Sequence, residues 1–135
     1  IGLADIKRVG TDVTLVSFGK IMKLVLEAAD KLAEEGISAE VIDLRTVRPI
    51  DYATVLESIK KTNRMVIIEE AWPLASLSSE IAFNVQRDAF DYMDAPVKRV
   101  CTADVPMAYA PNLVEEFMPK VSKIIEEVKS VMYRK

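Results

Sequence analysis

The sequence predicts an α/β fold, a three-layer sandwich. A mostly parallel sheet of about five strands carries one antiparallel edge strand and helices on both faces. Three observations predict it. Short runs of β-forming residues alternate with segments of helical periodicity along the chain, the pattern of βαβ units. One run, Met65-Val66-Ile67-Ile68, is continuously apolar, as strands covered on both faces are. The first two runs are separated only by Gly10-Thr11-Asp12, too short for a parallel crossover, so the first strand is expected to be an antiparallel edge.

The elements follow in order. Ile6 to Val9 and Val13 to Phe18 read as strands about that turn. Ile21, Leu24, Val25, Ala28 and Leu32 recur at helical spacing, with Lys20, Lys23, Glu27, Lys31 and Glu34 on the other side. Gly36 stops that helix in the left-handed cap position. Ala39 to Leu44 is the next strand. Pro49 ends the loop after it, and Asp51 caps a helix through Val55, Leu56 and Ile59. After the apolar strand at 65–68, Pro73 precedes a helix from about Ser76 to Arg87, with Leu77, Ile81 and Val85 on one side. Val97 to Cys101 is a last short strand. A loop with Pro106 and Pro111 leads to a closing helix with Val121, Ile124, Ile125, Val128 and Val131 on one face. No internal repeat or linker interrupts the pattern.

The chain has 135 residues, 50% of them hydrophobic and 29% charged, with a net charge of -3. That length and composition fit one ordinary globular domain over 1–135, able to bury a core without disulfide or metal. The first residues, from Ile1 to Arg8, lack an initiator Met and any signal-peptide layout, so a fragment of something longer is expected. No stretch approaches the ~18 apolar residues of a spanning helix, which speaks against a membrane partner. A slightly acidic, aromatic-poor chain gives no reason to expect nucleic acid.

Two counts exclude whole chemistries. With no histidine, this chain alone builds no Ser-His-Asp triad, Cys-His dyad or His-ligated zinc. Its one cysteine, Cys101, makes neither an intrachain disulfide nor a metal cluster, and a lone thiol fits a reducing compartment. Cys101 sits in an expected strand and reads as a small core hydrophobe.

Ligands of open parallel sheets bind where loops leave the carboxyl ends of strands. Four loops are candidates. Ser17-Phe18-Gly19-Lys20 lacks the glycines and Lys-Ser/Thr order of a phosphate loop, and reads as a helix entry with some anion-binding capacity. Arg45 and Arg48 share a loop and suit either a carboxylate or phosphate clamp, a pairing with Asp51, or a subunit interface. Glu69 and Glu70 are adjacent in an extended segment, point opposite ways and are poor partners for one proton. Trp72 beside Pro73 is an anchor, either in the core or at an interface. The last candidate comprises Asp94-Ala95-Pro96 and the irregular run from Thr102 to Ala110. Asp94, Asp104, Met107 and Tyr109 read there as contact residues or as part of a covering loop. No complete catalytic constellation results.

Taken together these loops resemble a known family. The evidence is the run from Glu40 to Asp51, then Thr62-Asn63-Arg64 before Val66-Ile67-Ile68-Glu69-Glu70, then Trp72-Pro73, Asp94-Ala95-Pro96-Val97 and Ala103-Asp104-Val105-Pro106-Met107. Their order and spacing resemble the carboxyl-terminal domain of pyruvate dehydrogenase beta subunits, within the thiamine-diphosphate-dependent transketolase-like enzymes. Arg48-Pro49 and the Ala103 run are similar to the pyruvate type; the branched-chain 2-oxoacid type tends to carry an aliphatic residue at Arg48. Four positions depart from the family: Ala108 stands where a second proline is usual, and Ala71, Ser76 and Ser78 stand where glycines are common. Those losses make a close backbone approach to a ligand less favourable and leave the helix entry to serine caps.

The resemblance implies a parent enzyme that oxidatively decarboxylates pyruvate with thiamine diphosphate and magnesium and acetylates lipoyl groups. Its reactive groups lie on other domains, so no catalytic, cofactor-binding or metal residue is transferred to this chain, and no cofactor is expected on it. The implied role is assembly. Partners would be an alpha subunit and a second beta subunit in an α2β2 enzyme, and the peripheral subunit-binding domain of the dihydrolipoyl acetyltransferase. Arg45, Arg48, Trp72, Asp94, Asp104, Met107 and Tyr109 are the candidate interface residues. The compartment implied is a bacterial cytoplasm, or alternatively the mitochondrial matrix. The rivals are the same domain of another transketolase-like enzyme, branched-chain 2-oxoacid dehydrogenase or deoxyxylulose-phosphate synthase, and a free-standing flavodoxin-like module that binds a small anion or a partner.

Overall fold

The structure is a computed structural model describing residues 1–134; Lys135 lies outside the described residues. Five strands and five α-helices are β1 (Asp5–Arg8), β2 (Val13–Ser17), α1 (Met22–Glu34), β3 (Ala39–Asp43), α2 (Tyr52–Thr62), β4 (Met65–Ile68), α3 (Leu77–Ala89), β5 (Lys98–Val100), α4 (Pro111–Phe117) and α5 (Val121–Val131). They form one sheet in the order β1-β3-β2-β4-β5. β3, β2, β4 and β5 run parallel, and β1 alone is antiparallel, at the edge.

Strand alternation sorts the core into two layers. Val13, Leu15, Val41, Val66 and Ile68 face α1 and α5, where Val25, Leu32, Ile124 and Val128 are fully buried. Val16, Ile42, Leu44, Met65 and Ile67 face α2 and α3, meeting Val55, Ile59, Ile81 and Val85. Helices therefore cover both faces, as the continuous apolar run at β4 predicts. Asp51 caps α2 by accepting from the Thr54 amide at 3.1 Å, and Gly36 ends the α1 region at a φ of +77°.

Two features differ from the sequence reading. The short turn between β1 and β2 is not a hairpin, because β1 pairs with β3 and β3 lies between the two strands. The chain crosses the start of β3 at Gly10, where a Cβ would lie 2.2 Å from Ala39 carbon and Glu40 nitrogen. Glycine is thus required by close approach of two backbones, not by turn geometry. The Thr11 and Asp12 amides both donate to the Ser38 carbonyl, and the Gly10 amide donates to the Glu40 carboxylate at 3.2 Å.

The second difference is α4, a helix inside the expected loop. It opens at Pro111, the first-turn position where proline is well placed, but it buries none of its residues. Without an apolar stripe against the core it leaves no periodic signal. α3 also runs two residues past the expected Arg87, to Ala89, and ends in a 3₁₀ turn at Phe90–Tyr92.

Candidate functional site

The candidate residues fall at two ends of the sheet. The loop after β3 carries Arg45 and Arg48, and the loop after β4 carries Trp72, both at the carboxyl edge. The segment after β5, with Asp104, Met107 and Tyr109, leaves the same edge. Asp94 does not join them. It precedes β5, and its amide donates to the Asn63 carbonyl just ahead of β4, so it sits at the amino edge. The direction of β5, parallel to β4, enforces this split, and the stretch from Asp94 to Tyr109 is two surfaces separated by a strand.

Arg45 and Arg48 are exposed and form no salt bridge among the described residues, and the Arg45 charge helps, after Lys7, to hold the Asp5 carboxyl low. Arg45 sits at a φ of +58°, with its amide donating to Asp43 at 3.0 Å. Their expected alternative partner, Asp51, is engaged elsewhere. Besides its cap bond it accepts from the Ala4 amide at 3.0 Å and the Thr54 hydroxyl at 2.7 Å. These bonds, the Ala4 one foremost, hold its carboxyl below the usual range. Asp51 is therefore more than a helix cap, because it also ties the amino-terminal segment to α2.

Trp72 is half exposed, which removes the core reading left open by the sequence. Its indole N–H donates to the Val105 carbonyl at 3.0 Å, so the loops after β4 and β5 are joined. Around this bond Leu74, Val105, Met107 and Tyr109 are exposed, Tyr109 wholly so. From Ala103 to Met118 no residue is buried, and the Ala103 amide bonds the Phe117 carbonyl to close the base of that arm. Large apolar groups held on an ordered arm outside the core mark a contact surface.

Two supporting residues were missed in the sequence. Glu69 is 1% exposed and its carboxylate accepts from the Ser78 amide, so Glu69, not the expected serines, caps α3. Ser76 stands at the cap position without a side-chain cap bond. Glu70 points outward, as neighbouring residues of an extended segment do. Arg99 of β5 donates to the Pro73 carbonyl at 2.8 Å and the Ser79 hydroxyl at 2.7 Å, fastening the Trp72 loop to the sheet. An arginine in a strand gives no hint of this, since its partners come from 20 or more residues away. Cys101 is partly buried with its sulfur 3.7 Å from the Ser78 hydroxyl, and burial pushes its thiol above the ordinary value. It is accordingly a protonated packing group at neutral pH.

Among the described residues no three His, Cys, Asp or Glu side chains converge to hold a metal, and no helix is long and apolar enough to cross a membrane. The surface thus offers contact area and fixed polar anchors.

Comparison with known proteins agrees with this geometry. The family described as transketolase, C-terminal domain, matches residues 2–124. The chain is 49% identical over 134 residues to the mitochondrial pyruvate dehydrogenase E1 component subunit beta of Dictyostelium discoideum, covering 99% of this chain and 38% of that protein. It is also 49% identical to the pyruvate dehydrogenase E1 component subunit beta of Rhizobium meliloti (strain 1021), covering 99% of this chain and 29% of that protein. The chain thus spans well under half the length of these relatives. Among solved structures, one described as a split gene transketolase, an inactive beta4 tetramer, superposes with a TM-score of 0.86 at 29% identity, over 98% of this chain and 43% of the other.

Proposed function

Since the chain belongs to the transketolase C-terminal domain family, we propose that it is the assembly domain, residues 1–135, of a longer pyruvate dehydrogenase beta subunit. What carries the reading is the match to such subunits across nearly the whole chain. The exposed Trp72–Tyr109 surface supports it physically, because large apolar side chains grouped outside the core mark an interaction site.

In this reading the parent enzyme decarboxylates pyruvate oxidatively and transfers the acetyl group to a lipoyl disulfide, which is reduced as the thioester forms. Thiamine diphosphate with magnesium supplies the electron sink for the decarboxylation. In this reading that group is held by other domains of the parent, and no residue of this chain is assigned to it. No catalytic step is therefore assigned to this chain. Its residues position subunits: Trp72, Asp104, Met107, Tyr109 and the free Arg45 and Arg48 at the carboxyl edge, and Asp94 at the amino edge. The partners are an alpha subunit and a second beta subunit in an α2β2 enzyme, and the peripheral subunit-binding domain of the acetyltransferase. Self-association of beta-type chains has a precedent in the beta4 tetramer described above. The compartment is a bacterial cytoplasm, with the mitochondrial matrix as the alternative; relatives come from both kinds of source.

The test is the complete subunit with its alpha partner. It releases CO2 from pyruvate and reduces a lipoyl acceptor. A clear preference for branched-chain 2-oxoacids overturns the substrate, and a complete protein without a second domain overturns the enzyme reading. Isolated residues 1–135 show no heat of thiamine diphosphate binding, and tight binding overturns the assembly role.

A further inference from the structure

The centre of the sheet's carboxyl edge is not used by the surface around Trp72. There the chain leaves β2 for α1 on one face and leaves β4 for α3 on the other. Adjacent parallel strands whose connections part to opposite faces open a crevice between them, the position at which open α/β sheets hold small ligands. A groove of about 330 Å³ lies beside this point. Its apolar wall is Ile21 and Leu24 from the start of α1 and Met118 and Pro119 from the base of the exposed arm.

The groove has a charged rim. Lys20 and Lys23 line it, and neither has an ion-pair partner among the described residues. Of the two acids at the rim, Glu27 is engaged with Lys31 at 3.0 Å, which leaves Glu70 alone. Two free cations against one free carboxylate leave the groove one positive charge in excess. At about 30 Å³ per water-sized group it has room for roughly ten such groups.

We infer that this groove binds a medium-chain carboxylic acid, its apolar body against Ile21, Leu24, Met118 and Pro119 and its carboxylate between Lys20 and Lys23. The ligand combines the two properties that the walls and the rim display, and it carries the single negative charge that neutralises the site. An apolar pocket with a few convergent polar groups is the ordinary form of a small-molecule site. Without the acid the two ammonium groups simply stay hydrated, so the fold does not depend on the site being filled.

Isothermal titration of the full polypeptide with octanoate tests the site, with octanol and octylamine as controls. Octanoate binds saturably, one per chain, and more weakly as salt is raised. Octanol binds at least tenfold more weakly and octylamine does not bind. The Lys20→Glu, Lys23→Glu double variant, unchanged in circular dichroism because both lysines are exposed, loses at least tenfold in affinity. Glu70→Gln removes the one free carboxylate and tightens octanoate binding. Any of three results overturns the proposal: octanoate fails to saturate at millimolar concentration, it binds the double variant as well as the parent chain, or octanol matches octanoate.

Discussion

The indole N–H of Trp72 donates to the carbonyl of Val105 at 3.0 Å, joining two loops that are 33 residues apart. One bond thereby turns two irregular segments into one apolar surface, and Arg99 braces the same loop from beneath through the Pro73 carbonyl. The surface is therefore ordered before any partner arrives, which lowers the ordering cost of association.

Replacing Trp72 by alanine removes both the bond and half-exposed contact area. The chain loses no more than about 1 kcal/mol of stability, since the ring contributes little to the core. Assembly of the subunits weakens roughly tenfold or more, because a central aromatic anchor carries a large share of interface energy. Sedimentation of the subunit mixture and a thermal melt separate the two effects. A large loss of melting temperature with unchanged assembly argues that Trp72 serves the fold alone.

Lysine in place of Asp94 or Asp104 reverses a charge on either side of β5. Each change weakens docking of the acetyltransferase's subunit-binding domain by about 1 kcal/mol, roughly fivefold in Kd. Asp94 also pairs with Arg64 at 3.3 Å, so Arg64→Ala serves as the control for a merely local effect. Surface plasmon resonance with the binding domain reads both sites. An unchanged Kd for both variants assigns the loops a structural role.

Alanine at Gly10 places a methyl group within 2.2 Å of the β3 backbone, where no side chain is available to yield. The strands must separate, at a cost of about 3 kcal/mol or more. Urea titration of Gly10→Ala shows a lower midpoint, whereas alanine at Gly19 has open space around it and bears only the strain of a φ of +72°, about 1–2 kcal/mol, so it shifts the midpoint less.

Asp51 makes stability depend on acid. Its folded carboxyl lies below the ordinary 3.8, because the Ala4 and Thr54 bonds favour the ionised form. Between the two values the unfolded chain binds more protons than the folded chain. The contribution is thus complete above the ordinary value and is lost as pH falls through the folded one. In Asp51→Asn an amide nitrogen replaces one carboxylate oxygen and cannot accept a hydrogen bond, so the variant loses about 1 kcal/mol at neutral pH and shows a flatter decline in melting temperature below roughly pH 4. An acid limb as steep as that of the parent chain refutes this role for Asp51.

What was legible in the sequence is what repeats locally. The alternation at β2, β3 and β4 sets which side chains meet which helices, and the spacing of Val25, Ala28 and Leu32 sets the buried side of α1. Asp51 as a cap and Gly36 as a left-handed stop were legible because each acts on its own neighbours. What was hidden depends on distant chain. A three-residue turn with glycine reads as a hairpin until β3 is known to lie in between. The α3 cap reads as serine until Glu69 arrives from the preceding strand. α4 packs no face against the core, so it gives no period to find. At the candidate surface the residues were legible as contact types, but the placement of Asp94 at the opposite edge was not, since it requires the direction of β5.

The crossing at Gly10 also bears on how the chain comes into being. A hairpin would let the first two strands zip as soon as residue 17 is made. Here β1 finds its partner only at Ala39–Asp43, so a nascent polypeptide leaving the ribosome holds β1 unpaired until that stretch has emerged. Both β1 and β2 pair with β3, so neither pairing exists before β3 is made. Within this domain β1 is made before its partner, and any unit fused ahead of it is joined through an unpaired edge until β3 is available.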